Sequence, residues 1–128
     1  MPNYNGVWSL STQYQYADQW NSDNSNPAIG LFAGGFTGSY SNVIESISPD
    51  TAGNASDFGD LTQVNSQGIA ACASSTRGLF GGGKNDVIAY VTIASAGDAT
   101  DFGDLTVEPE YTSACSSTTR GVFGGGTT

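Results

Sequence analysis

Asp57-Phe-Gly-Asp-Leu-Thr62 returns unchanged as Asp101-Phe-Gly-Asp-Leu-Thr106, 44 residues further on. Three glycine stretches frame the two copies: Gly30-Leu-Phe-Ala-Gly-Gly35, Gly78-Leu-Phe-Gly-Gly-Gly83 and Gly121-Val-Phe-Gly-Gly-Gly126, offset by 48 and then 43 residues. Asn42-Val-Ile-Glu45 aligns with Asp86-Val-Ile-Ala89, and Ala71-Cys-Ala-Ser-Ser-Thr-Arg77 with Ala114-Cys-Ser-Ser-Thr-Thr-Arg120. Four landmarks kept in one order mark an internal repeat. A period of about 40–50 residues is that of propeller blades and related arrays.

Each repeat reads as four short strands. The apolar Gly-Leu-Phe run closed by glycines is the first. The β-branched stretch Val87–Ile93, with its counterpart Asn42–Ile47, is the second. The third centres on Asp-Phe-Gly-Asp-Leu-Thr, and the small-residue run ending in Arg is the fourth. Residues 48–54 (SPDTAGN) and 94–98 (ASAGD) have turn chemistry. Weak alternation in the first strand fits burial of both its faces near a central axis.

An Arg, an apolar strand ending in Gly-Gly, a β-strand and then an aromatic about 20 residues on resembles the kelch blade. Arg77, Gly82-Gly83, Tyr90 and Phe102 stand in that order, with Phe102 where kelch repeats place a Trp. The shorter unit, DFGDLT followed by small residues and Arg-Gly-Val-Phe-Gly-Gly-Gly, resembles kelch-like repeats of marine bacteriophage structural proteins. The likeness covers Gly30–Gly126, and Gly6–Tyr14 resembles a segment preceding such repeats in virion proteins. It implies an all-β fold of propeller-type blades in a virion fibre, head-decoration or tail-associated protein.

The blade count does not close. Residues 30–77 form a first repeat, 78–120 a second, and 121–128 an extra first strand available for exchange with a neighbour. Residues 1–29 are an N-terminal segment and linker that packs on the repeats or anchors the subunit. Propellers use about four to eight blades. The sequence therefore predicts two four-stranded repeats plus one strand, completed by neighbouring chains. A homotrimer is favoured; a filament built by strand donation and a chain completed by its own residues 1–29 are the alternatives. Leu10, Tyr14 and Ala17 have helical spacing, and Thr12 with Gln15 suits a capping box, so a short helix or turn is expected to pack Trp8 and Trp20 on the repeats.

Composition narrows function further. The chain has 128 residues, 12 acidic and three basic side chains, and a net charge of -9. Three cations (Arg77, Lys84, Arg120) are too few to displace phosphate counterions or hold an anionic membrane surface. No apolar run approaches the roughly 20 residues of a membrane span. The stretch MPNYNGVWSL has neither a basic nor an apolar signal region, so no secretion signal is expected there. With no histidine, a Ser-His-Asp triad, a Cys-His dyad and His-ligated metal sites are excluded.

Several motifs have a structural reading that outweighs the chemical one. Gly78–Lys84 imitates a P-loop, but Asn85 stands where magnesium ligation needs Ser or Thr, and the other copies carry Phe36 and Thr127 in place of Lys84. The aspartates of Asp-Phe-Gly-Asp read as turn and strand-end residues, with Phe58 and Phe102 packing between blades. Asp98, Asp101 and Asp104 lie three apart, matching Asn54, Asp57 and Asp60, but not at the spacing of a calcium loop. Cys72 and Cys115 occupy equivalent positions, too far apart to bridge, and read as small buried residues. Arg77 and Arg120 are expected to meet a carboxylate or backbone carbonyls at blade junctions. Tyr4, Trp8, Tyr14, Tyr16 and Trp20 form an aromatic cluster that covers a seam or stacks on sugar rings.

No catalytic, cofactor-binding or metal-ligating residue is assigned and no cofactor is expected. The expectation is a non-enzymatic virion surface protein, partnered by its own copies and other virion proteins. A host surface glycan is a further candidate partner; nucleic acid and membrane insertion are not expected. A small carbohydrate-binding lectin ring and a surface filament subunit are the alternatives.

Overall fold

The computed structural model describes residues 28–128. The helix or turn expected near Thr12–Gln15, the packing of Trp8 and Trp20, and the aromatic cluster lie outside the described residues. The fold is all-β, with nine strands and no helix among the described residues. The strands are β1 (Gly30–Ala33), β2 (Val43–Ile47), β3 (Ser56–Asp60), β4 (Ile69–Ala73), β5 (Arg77–Gly82), β6 (Val87–Thr92), β7 (Thr100–Asp104), β8 (Ser113–Ser116) and β9 (Gly121–Gly124). They form three antiparallel sheets: β1-β2-β3, β4-β5-β6-β7 and β8-β9.

The strand types follow the sequence reading, but their grouping does not. The small-residue run was expected to close a repeat; instead it opens a sheet by pairing forward, β4 with β5 and β8 with β9. A tight turn explains this. Ser74 N donates to Arg77 O at 2.9 Å, and Ser74 Oγ accepts from Thr76 N and Arg77 N at 3.3 and 3.1 Å. Ser117, Thr119 and Arg120 repeat the pattern. The serine side chain supplies a local partner that closes the hairpin at once. Arg77 thus opens β5 instead of closing the preceding strand.

Both Asp-Phe-Gly-Asp strands carry a β-bulge at the same place. Ile44 faces Gly59 while Glu45 faces Asp57, and Ile88 faces Gly103 while Ala89 faces Asp101. The unpaired residue is Phe58 or Phe102, which the bulge turns outward from the ladder. Phe58 uses this to enter the core. It joins Ile44 and Leu61 of the first repeat against Phe80, Ala89 and Val91 of the central sheet. Backbone bonds lock the same contact: Gly97 N donates to Phe58 O and Ala99 N to Asp60 O, both at 2.8 Å. Asp60 N donates to Asp98 Oδ1 at 3.1 Å.

The opposite face of the central sheet meets β8-β9. Ser116 Oγ donates to Ala73 O at 2.7 Å, and Phe123 lies under Gly81. Any side chain at Gly121 would sit 2.6 Å from Cys72 Sγ, so glycine leaves room for the thiol. Cys72 is buried as expected, but Cys115 is exposed, because no sheet follows the last one among the described residues. Both cysteines are free. Phe102 departs from expectation for the same reason: it is 53 % exposed, against 6 % for Phe58.

This asymmetry is measurable. Phe58→Ala is expected to cost about 3–5 kcal/mol, the range for a buried phenylalanine. Phe102→Ala is expected to cost less than about 1 kcal/mol, as for a surface position. Urea unfolding of the two variants in dilute solution checks the difference.

Candidate functional site

Four connections meet at one end of the sheets: β1 to β2, β3 to β4, β5 to β6 and β7 to β8. Their junction is fixed by backbone bonds. Ser66 N donates to Gly83 O at 2.7 Å, Gly83 N and Lys84 N both donate to Pro109 O at 3.1 Å, and Thr112 N donates to Gly68 O at 3.1 Å. Asn65 is the buried polar residue of this junction. Its amide donates to Gly82 O and accepts from Asn85 Nδ2, each at 3.0 Å. Burial is tolerated because both ends of the amide are satisfied.

Above Asn65 lies an open cavity of about 550 Å³, walled by Phe36, Tyr40, Gln67 and Tyr111. Gln67 organises it. Its Nε2 donates to Tyr40 Oη at 3.0 Å, and its Oε1 accepts from the Tyr111 hydroxyl. The Phe36 and Tyr40 rings lie 5.0 Å apart at 54°. Phe36 is 64 % and Tyr111 60 % exposed, so their faces are open to water.

Tyr111 is held in a conformation that tyrosine disfavours. Its φ is 56°, in the left-handed region. It occupies the repeat position of Gly68, whose φ is 66° and where a side chain would collide with the Tyr111 backbone. The second repeat thus places a large ring where the first keeps glycine. Backbone strain of this kind gathers at ligand-contacting positions.

The arrangement is suited to recognition. Amphipathic aromatic faces fixed by a side-chain amide offer apolar stacking beside hydrogen-bonding groups, the pattern of a concave binding site. A sugar ring matches it, with C–H bonds on one face and hydroxyls at the edge. Sequence reasoning missed these four residues and placed sugar stacking in residues 1–20. The available signal was a break in the repeat: Tyr111 against Gly68, and Phe36 against Lys84 and Thr127.

Of the Asp-Phe-Gly-Asp carboxylates, Asp101 bonds a backbone amide, that of Gly103 at 3.0 Å, as expected; Asp98, outside that motif, accepts from Asp60 N at 3.1 Å. No cluster of three Cys, Asp or Glu side chains that could hold a metal ion occurs among the described residues. Arg77 does not meet a carboxylate within ion-pair distance among the described residues; its guanidinium lies 4.6 Å from the centre of the Tyr90 ring. Lys84 pairs with Glu110 at 3.1 Å. That hydrogen bond, with the attraction of the carboxylate, raises the Lys84 pKa above its ordinary value. The pair therefore favours folding below the pKa of a free lysine, and the benefit fades as pH rises through the raised value. Burial, and then the nearby Cys115, push the Cys72 thiol up, away from nucleophile chemistry. No protein-family model and no curated protein sequence matches the chain.

Tyr111→Gly tests the strained position. Relief of left-handed strain, about 1–2 kcal/mol, offsets the lost hydrogen bond of about 1 kcal/mol. The unfolding free energy is expected to stay within about 1 kcal/mol of the parent in urea titration, although a whole ring is removed.

Proposed function

We propose that this chain is a non-enzymatic bacteriophage virion surface protein, a fibre, head-decoration or tail-associated subunit built from kelch-like blades. The observation that carries the reading is the stacked repeat with incomplete outer sheets. Among the described residues, Arg77-Gly-Leu-Phe-Gly-Gly-Gly83 and the second DFGDLT copy build one four-stranded sheet, flanked by sheets of three and two strands. Unpaired strand edges recruit further strands, and sister chains carry matching ones. Three chains closing one ring is the favoured assembly. The acidic, serine- and threonine-rich surface resists unspecific association.

The aromatic cavity favours a second reading of the same ring, a lectin. Weak sites repeated around an axis gain avidity without new contacts. On the virion this becomes adhesion to host surface glycan; off it, a free carbohydrate-binding module.

Light scattering of the purified protein is expected to give about three times 13.1 kDa; a mass of 13.1 kDa at all concentrations contradicts the assembly. Proteomics of purified virions is expected to find the chain in fixed ratio to the coat protein, and its absence from particles overturns the virion assignment. Binding to immobilised host polysaccharide is expected to fall at least tenfold in Tyr111→Gly, which keeps the fold.

A further inference from the structure

We propose that the open half of the central sheet is an interface for a second copy of this chain, whose β2–β3 hairpin docks there as the next repeat. The proposal rests on the self-assembly reading above and specifies which surfaces meet. Its basis is the contact between the first and second repeats, which is present in every chain and whose counterpart one repeat further on is unfilled among the described residues.

In the filled contact, β3 receives Gly97–Ala99 along its edge: Gly97 N to Phe58 O, Ala99 N to Asp60 O, and Asp60 N to Asp98 Oδ1. The approach is so close that a side chain at Gly59 would collide with the Gly97 carbonyl. β7 repeats the same residues. Gly103 keeps the glycine and nearly the same backbone, φ 149° against 153° at Gly59, yet a side chain there would meet nothing within 4 Å. Phe102 O and the Asp104 N–H and C=O make no corresponding bonds among the described residues. The segment equivalent to Gly97-Asp98-Ala99 is Gly53-Asn54-Ala55. It lies between β2 and β3, a side chain at Gly53 would meet nothing within 4 Å, and Asn54 offers the side-chain oxygen that Asp98 offers.

The faces agree with the edges. Against the central sheet, Ile44 and Phe58 are buried; the equivalent Ile88 and Phe102 are partly or largely uncovered, because β8-β9 spans only the other half of that face. A groove of about 220 Å³ runs between Arg77, Leu79 and Phe102 and the 116–121 turn. The facing surface of a second copy presents Val43, Glu45 and Ile47, the repeat equivalents of Val87, Ala89 and Val91.

Charge selects a copy over other apolar partners. Arg77, which lines the groove of one copy, has no carboxylate partner among the described residues, and Glu45 is exposed on the facing surface of the other. The docked copies would bring these opposite charges to one junction. β9 supplies the Gly-Val-Phe strand beside the incoming β2, in the place β1 holds in its own chain. The exchange replaces one Gly-apolar-Phe strand by another.

Cysteine pairing tests this with the full-length chain in a Cys115→Ser background. Asp60→Cys with Asp98→Cys calibrates the geometry by forming a disulfide within one chain. Asn54→Cys protein mixed with Asp104→Cys protein is expected to form a covalent heterodimer as the main oxidised species. Ser95→Cys in place of Asn54→Cys is expected to form none. In a second arm, Arg77→Glu or Glu45→Arg alone is expected to reduce the assembled mass to that of one chain, and the double variant to restore it. If the protein assembles but neither the cross-link nor the charge-swap rescue occurs, this interface is wrong and self-assembly stands. If the parent is a single chain at every concentration, both fail.

Discussion

The fold depends on one close approach of backbones. At Gly59 the bulged strand comes so near the Gly97 carbonyl that no side chain fits between them. That contact lets an edge strand of one sheet bond to the loop of the next, and it carries Phe58 into the core beside Ile44 and Val91. Everything else follows the repeat. One unit supplies the bulge, the phenylalanine and the open edge; the next supplies the small-residue loop that seals it.

A repeat of this kind cannot satisfy its own ends. Each sheet buries one face against its predecessor and offers the other to its successor. Burial of equivalent residues traces this along the chain: Phe58 is enclosed while Phe102 is open, and Cys72 is enclosed while Cys115 is open. These differences follow position in the stack: the DFGDLT copies are identical, and the cysteines occupy aligned repeat positions. The exposed apolar residues on the terminal sheets are accordingly of the same types as the core.

Much of the strand pattern was legible from the sequence. Val87–Thr92 announced itself by β-branching, and the two DFGDLT copies located β3, β7 and, through their offset, the period. The sheet boundaries were not legible, because repeat alignment fixes a period without a phase. The phase is set by Ser74 and Ser117, whose side chains close hairpins that join small-residue strands to the glycine strands after them. Arg77 illustrates a second limit. Scarcity of cations suggested a carboxylate or backbone carbonyls as its partner, but its position at the start of β5 sets it over Tyr90. The aromatic cavity escaped for the opposite reason. Phe36, Tyr40, Gln67 and Tyr111 come from three connections, and each departs from the repeat that guided the reading.

Amide hydrogen exchange as a function of protein concentration tests the central claim, that sister chains fill the place of the missing repeat. The account predicts that Gly53, Ala55 and Asp104 amides become protected as concentration rises. It also predicts that their intrachain equivalents Gly97, Ala99 and Asp60 stay protected throughout. Exchange at Gly53, Ala55 and Asp104 that is equally fast at every concentration would contradict it.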